Sequence, residues 1–217
     1  MSKLVHSDRY QDYVFKDGEF VGQFDEMYRR FPDPWNCVAD SASLDSDIFC
    51  ALLQCISRDV NNVLDVGCGL GALTARIHTA VAPAEVRAID VSSDAIEKAK
   101  RTYPRQGIHF SVHDLLSDSP GPLPHNLDLI TMAEVCWYII PGIERVLDAL
   151  HDLLNPRGHL VILQHFHRPE EQRYGVDVMR TPGDLRDLVR RAGFRIEREM
   201  HLDPVPPMKA LVWARKA

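Results

Sequence analysis

Val63-Leu64-Asp65-Val66-Gly67-Cys68-Gly69-Leu70-Gly71-Ala72-Leu73 is the stretch that decides the fold. A short apolar run ends in an acid, three glycines follow at alternate positions, and a helical pattern begins at Ala72. That order predicts a strand, a tight turn and a helix N-terminus. Glycine has no Cβ, so the backbone of such a turn can approach a ligand closely. The segment Gly67-Cys68-Gly69-Leu70-Gly71-Ala72 also fits G-x-G-x-x-G/A, the pattern of turns that hold a pyrophosphate. A glycine turn joining strand to helix with no ligand is the plain alternative.

Asp65 separates the ligands. A dinucleotide brings a doubly negative pyrophosphate to the helix N-terminus, and a carboxylate two residues before the first glycine opposes that anion. The same carboxylate suits a ligand carrying an ammonium and a sulfonium. Leu64-Asp65-Val66-Gly67-Cys68-Gly69-x-Gly71 resembles motif I of the S-adenosylmethionine-dependent methyltransferases. The resemblance implies S-adenosyl-L-methionine as cofactor, with Asp65, Gly67, Cys68 and Gly69 among the residues that bind it.

Outward from the turn, strand and helix patterns alternate. Strands are expected at Asn62–Val66, Glu85–Ile89, Ile108–Val112, Leu127–Met132 and His159–Gln164. Helices are expected at Ala72–Thr79, at Ser92–Arg101 with Ser92 or Ser93 as N-cap, and at Gly142–Leu154. Asn155-Pro156-Arg157-Gly158 ends the last of these, and Ser117–Asn126, rich in proline, is a loop. A helix at Asp184–Ala192, closed by Gly193, precedes strands Phe194–Glu199 and Ala210–Ala214 across a loop holding Pro204, Pro206 and Pro207. Seven strands, the first five alternating with helices, predict an α/β fold with a doubly wound, mostly parallel sheet. The last two can pair antiparallel. The resemblance implies the Rossmann-like methyltransferase fold, with the last strand inserted antiparallel beside the sixth.

Upstream, Ser43–Ser57 is an amphipathic helix with Leu44, Ile48, Ala51, Leu52 and Cys55 in one stripe. Residues 1–43 show no clear strand period. Phe24, Met27, Tyr28 and Phe31 have helical spacing until Pro32-Asp33-Pro34 stops it. The segment is either a surface element packed on the domain or a lid, with Tyr28, Arg29 and Trp35 facing the cofactor. Residues 44–217 are then the methyltransferase domain within a single-domain chain.

Composition narrows the class further. At 217 residues the chain is long enough for one well-buried core, and 45% hydrophobic with 26% charged residues is ordinary for a globular protein. No apolar run approaches the roughly 20 residues that span a bilayer, and the first residues lack a signal-peptide core. Five cysteines form no C-x-x-C pair, which predicts free thiols in a reducing cytoplasm. A net charge of −6 offers no general attraction to nucleic acid. The expected partner is a small-molecule acceptor, with no nucleic acid and no membrane, and the chain is a monomer or homodimer.

Ligands of doubly wound sheets bind at the C-terminal ends of the strands, and here acids stand there. Asp90 follows the second strand, where a carboxylate can accept both ribose hydroxyls of an adenosine or merely serve the next helix. Val91 would flank the adenine ring. The resemblance implies that Asp114 and Leu115, after the third strand, contact adenine; Asp114 as a turn residue is the alternative. After the fourth strand comes Met132-Ala133-Glu134-Val135-Cys136-Trp137-Tyr138-Ile139. It lacks the [DNS]-P-P-[YFW] form of methyltransferases acting on nucleic-acid amino groups. Asp33-Pro34-Trp35, Ala133-Glu134-Val135-x-x-Tyr138 and Gly158-His159-Leu160-Val161 resemble the nodulation protein S family, N-methyltransferases of a chitooligosaccharide amine. Trp35 and Glu134 are expected at the cofactor, and Glu134 or Tyr138 could orient an amine acceptor. The stretch from Phe166 to Thr181 is this chain's own, so its acceptor can differ.

His165 and His167 follow the fifth strand, and His165 is a candidate general base. Alternate residues of an extended strand point to opposite faces, so the two imidazoles are not expected to share a metal ion, and no metal is expected. The expected reaction is methylation of an amine of a small or sugar-like molecule, with Glu134, Tyr138 and His165 as catalytic candidates. O-methylation with His165 as base is the close second. A nicotinamide dehydrogenase and a non-catalytic adenosylmethionine-binding protein are the readings from other classes.

Overall fold

The computed structural model describes residues 5–36, 38, 43–82, 84–117, 123–168, 170–171, 173–202 and 208–217. Cys37, part of the loop expected at Ser117–Asn126, and the loop holding Pro204, Pro206 and Pro207 lie outside them. After a 3-10 turn at Tyr10–Tyr13 comes a hairpin, β1 (Phe15–Lys16) and β2 (Glu19–Phe20), ahead of the short helix Phe24–Arg30. Asp17 and Gly18 join the strands with φ of 54° and 87°, the double left-handed turn that suits a tight hairpin. This corrects the expectation of an N-terminal segment without strands.

Seven further strands form one sheet: β3 (Asn62–Val66), β4 (Glu85–Asp90), β5 (Ile108–Val112), β6 (Leu127–Ala133), β7 (Leu154–Phe166), β8 (Phe194–His201) and β9 (Met208–Lys216). Their order is β5-β4-β3-β6-β7-β9-β8. The first five run parallel, while β9 lies antiparallel between β7 and β8. The doubly wound sheet with an antiparallel last strand is therefore as expected. Connections leave β3 toward β4 on one side and β6 lies on the other, so the topological switch falls between β3 and β6, where ligands bind.

Successive residues of a strand face opposite ways, and the core divides accordingly. Val63, Leu129, Val161 and Leu211 pack with Phe49 and Leu53 of the helix Leu44–Ile56 and with Ile77 of the helix Ala72–Ala80. Leu64, Ile130, Leu160 and Val212 pack on the other face, against Val146, Leu147 and Leu150 of the helix Ile143–Leu153 and Leu185 and Leu188 of the helix Pro182–Arg191. Ser43, Ser92 and Thr181 each accept a backbone amide of their helix's first turn, which sets where those helices begin.

One boundary departs from the sequence pattern. Asn155–Gly158 does not separate helix from strand; β7 begins at Leu154, and the four residues form an irregularity between the pairs Leu127↔Leu154 and Leu129↔His159. Gly158 is required there, because a Cβ would stand 2.9 Å from the Leu127 carbonyl oxygen.

Candidate cofactor and active site

A cavity of about 760 Å³ opens at the C-terminal ends of β3, β4, β6 and β7. Its volume is that of a small-molecule or cofactor site. Every residue expected to bind the cofactor or to serve in catalysis lines it: Trp35, Asp65, Gly67, Cys68, Gly69, Asp90, Val91, Asp114, Leu115, Glu134, Tyr138 and His165.

The glycine turn forms its floor. Gly67, Gly69 and Gly71 all have positive φ, and the amides of Gly67 and Cys68 both donate to the Ile89 carbonyl, fastening the turn to β4. A Cβ on Gly67 would meet Val135 Cγ2 at 2.3 Å, and one on Gly69 would stand 3.0 Å from the Tyr28 hydroxyl. The turn is thus squeezed between the loop after β6 and the N-terminal segment. Beneath it Asp65 is 3% exposed and accepts from Thr74 Oγ1 (2.6 Å) and Thr131 Oγ1 (2.8 Å). Burial pushes its pKa up to about 6 against those two hydroxyls. Asp65 therefore ties the helix Ala72–Ala80 to β6 as well as facing the cavity.

Asp90 bridges two elements. One carboxylate oxygen accepts the Gly69 amide at 2.8 Å and the other accepts the Ser92 amide at 2.9 Å. Burial raises its pKa, and the two amides pull it back down. Ser92, not Asp90, caps the helix Ser93–Thr102. Val91 holds a 43% exposed apolar side chain on the cavity wall. Asp114 is exposed and accepts the Leu116 amide at 2.8 Å, so it makes the local turn as well as lining the cavity.

The N-terminal segment lies over this end. Asp25 accepts from the Ser92 and Ser93 hydroxyls and the Asp94 amide, and the Lys98 ammonium donates to the Tyr28 and Phe31 carbonyls. Tyr28 and Trp35 reach the cavity, with Tyr10 edge-on to Trp35 and Trp35 beside Tyr138. Arg29 does not: it points outward, paired with Glu26 and Asp94. Tyr174 packs on Phe15 and Phe20 of the hairpin.

Glu134 is the most constrained residue of the site. Its φ is 60°, in the left-handed region rarely held by a non-glycine residue, and its amide donates to the Leu163 carbonyl. Oε2 accepts the His165 amide at 2.8 Å and Gln164 Nε2 at 3.2 Å. Oε1 is buried with no hydrogen-bond partner. Burial pushes the carboxyl up to about 7, opposed by the nearby Lys209 ammonium. Fully buried Gln164 locks the loop in turn, accepting the Cys136 amide at 2.9 Å.

His165 and His167 depart from expectation. Their rings meet edge to face at 4.7 Å and both line the cavity. Strand β7 ends at Phe166, so alternation no longer governs His167, whose ring turns back toward Trp137. Among the described residues no group of three or more His, Cys, Asp or Glu side chains could hold a metal. Sequence reasoning missed His113, Asp45 and Lys209, which also line the cavity. Lys209 reaches it because β9 pairs with β7 in the register His165↔Lys209, a long-range contact with no local signal.

A doubly wound sheet with an acid at the C-terminal end of each of β3, β4 and β6 around one cavity defines a cofactor-binding α/β domain of the Rossmann-like class. The methyltransferase-domain family model matches residues 64–160. A malonyl-[acyl-carrier protein] O-methyltransferase from Anoxybacillus flavithermus is 33% identical over 62% of this chain and 51% of its own length. Nodulation protein S from Rhizobium tropici is 31% identical over 59% and 53%. The chain spans about half the length of these curated relatives. Among solved structures, the N-methyltransferase nodulation protein S of Bradyrhizobium japonicum, in complex with S-adenosyl-L-homocysteine, shares the fold with a TM-score of 0.66 and 22% identity, over 89% of this chain and 97% of that one. Over its central part the chain is thus similar to S-adenosylmethionine-dependent methyltransferases, with nodulation protein S proteins among the relatives it resembles. No helix among the described residues is long and apolar enough to cross a membrane.

Proposed function

We propose that this methyltransferase transfers a methyl group from S-adenosyl-L-methionine to an amine of a small, polar or sugar-like acceptor. The residues present fit the cofactor: a glycine turn whose backbone at Gly67 and Gly69 borders the cavity, an exposed apolar wall at Val91, and a carboxylate at Asp90 with acceptor capacity left over. A carboxylate offers about four lone-pair directions. Two are taken by backbone amides, which leaves each oxygen of Asp90 able to accept one ribose hydroxyl. Asp114 and the Leu115 amide would take the adenine edge, and residues 1–43 would serve as a lid, with Tyr28 and Trp35 over the bound cofactor.

The observation that carries the acceptor type is Glu134. Its buried Oε1 accepts no hydrogen bond, with the Lys209 ammonium 3.7 Å away, and Trp137 and Tyr138 line the same cavity. An N–H donor is what that oxygen lacks, and a carboxyl that titrates near neutrality can take a proton from an arriving ammonium. The cofactor supplies a methyl on a sulfonium, whose C–S electron pair leaves with sulfur as the acceptor's lone pair forms the new bond. The protein's contribution is alignment of the free amine, with Tyr138 holding it.

O-methylation is the second reading, favoured by the imidazoles of His165 and His167 at the same wall, either of which can deprotonate a hydroxyl. The test has two stages. Melting with S-adenosylhomocysteine and with NAD checks the cofactor; a ligand at 100 times its dissociation constant stabilises by about 2.7 kcal/mol. S-adenosylhomocysteine formation is then followed over amine, hydroxyl and RNA acceptors. The RNA arm is included because a ribosomal RNA small subunit methyltransferase A from Campylobacter jejuni is 25% identical over 56% of this chain. Turnover confined to RNA would overturn the proposal, and turnover confined to hydroxyls would leave the second reading.

A further inference from the structure

Lys209 is the second residue of β9 and Asp45 the second of the helix Leu44–Ile56, two elements remote in sequence from the glycine turn and from the loop after β6. Both side chains nevertheless line the cavity. The Lys209 ammonium is ion-paired to Asp45 Oδ2 at 2.8 Å and stands 3.7 Å from Glu134 Oε1, just beyond hydrogen-bond reach. Lys209 is only 26% exposed and Asp45 only 22%, so this is not a solvated surface pair.

We propose that Lys209, anchored by Asp45, is the positioning residue that governs when the Glu134 carboxyl holds a proton during methylation of an amine. The proposal rests on the N-methyltransferase reading for its purpose, but its geometry stands alone. Glu134 Oε2 is fully engaged by two N–H donors. Oε1 is therefore where a proton from the acceptor ammonium arrives, and the cation 3.7 Å away decides how readily it is kept. With Lys209 drawn to Asp45, the carboxyl is stabilised as an anion only in part. It can take the proton before the amine's lone pair attacks the methyl carbon, then release it to solvent after the product leaves.

Among the described residues, the charged and titratable groups facing Glu134 are few. They are Lys209 from β9, Asp45 from the helix Leu44–Ile56 and the Cys136 thiol from the same loop. The thiol is pushed up to about 12 by burial and by Glu134 itself, so it stays neutral across the working range. Lys209 and Asp45 are the pair that remains to set the balance.

The experiment uses the full chain carrying ¹³C-labelled glutamate, with the Glu134 carboxyl resonance assigned by its loss in Glu134→Gln. Its titration is followed in wild type, Lys209→Met, Lys209→Arg and Asp45→Asn, with S-adenosylhomocysteine binding measured by calorimetry in each. Removing a cation within about 4–6 Å raises a carboxyl's pKa by roughly 1–3 units, so Lys209→Met should shift the Glu134 midpoint upward by at least about one unit. Lys209→Arg should restore it most of the way, and Asp45→Asn should move it downward. An unchanged midpoint in Lys209→Met, or no difference between the Met and Arg variants, overturns the proposal. If Lys209→Met does not fold, the Asp45→Asn shift decides, and an upward or absent shift refutes it. Failure of wild type to bind S-adenosylhomocysteine would sink the methyltransferase reading while leaving the Glu134 titration readable.

Discussion

Replacing Asp90 by alanine should abolish most of the cofactor affinity without unfolding the protein. Each oxygen of this carboxylate accepts one backbone amide, from Gly69 and from Ser92, and each keeps a direction for one further donor. Two charge-assisted hydrogen bonds to a ribose diol, at about 1.5–3 kcal/mol each, put roughly 3–6 kcal/mol at stake. At 1.4 kcal/mol per tenfold, that is on the order of 10²–10⁴ in the Kd for S-adenosylhomocysteine, read by calorimetry. The substitution also releases the two amides. They border the cavity, where water can replace the carboxylate, so the loss of stability should stay near about 1–2 kcal/mol.

Ser92→Ala separates the two roles of this corner. Ser92 accepts the Ala95 amide, caps the helix Ser93–Thr102 and donates its hydroxyl to Asp25; losing the cap should lower stability by about 1 kcal/mol, while the Kd should change far less than in Asp90→Ala because no donor or acceptor for the ribose is removed. An Asp90→Ala protein that melts earlier but binds S-adenosylhomocysteine as wild type does would show that Asp90 serves only the turn and the helix.

Three further outcomes are expected. Glu134→Gln should lower turnover by roughly 10²–10⁴, the usual worth of a general base, while cofactor affinity changes little; equal loss of both would move Glu134 into the cofactor shell. Limited proteolysis should cut residues 5–36 faster in the free protein than with S-adenosylhomocysteine, the bound ligand adding to ties such as Asp25 to Ser92 and Lys98 to Phe31; equal rates would mark a fixed packing element. Asp65, raised from 3.8 to about 6 by burial, binds its proton more tightly folded than unfolded. Its contribution to stability is fully present below pH 3.8 and is lost as pH rises through about 6. The unfolding free energy of wild type minus that of Asp65→Asn should therefore fall across that window, by at most roughly 3 kcal/mol at 1.36 kcal/mol per unit; a flat or rising difference in urea titrations would refute the burial account.

Much of this was legible in the residues because it is written locally. A strand-turn-helix with alternating glycines needs eleven consecutive residues, and Asn62–Val66 and Ile108–Val112 fall where their apolar patterns place them. Strand-end acids are legible for the same reason: each is the residue at which an apolar run stops. The hairpin at Phe15–Phe20 carried a local signal too, since Asp17-Gly18 is a turn dipeptide, but its two-residue strands are too short to show a period.

Contacts set by strand register are a different matter, and the cavity's charge depends on them. Lys209 meets Glu134 only because β9 returns antiparallel along β7, and Asp45 meets Lys209 only because the helix Leu44–Ile56 packs on that face. A one-residue slip of β9 would carry Lys209 to the opposite face of the sheet, yet nothing near position 209 announces the pairing. The histidines make the same point in reverse. Alternation correctly separates side chains while a strand lasts, but β7 stops at Phe166, and the backbone that leaves it brings His167 back to within 4.7 Å of His165. A period is a property of an element, so a site assembled where elements end must be read from where they end.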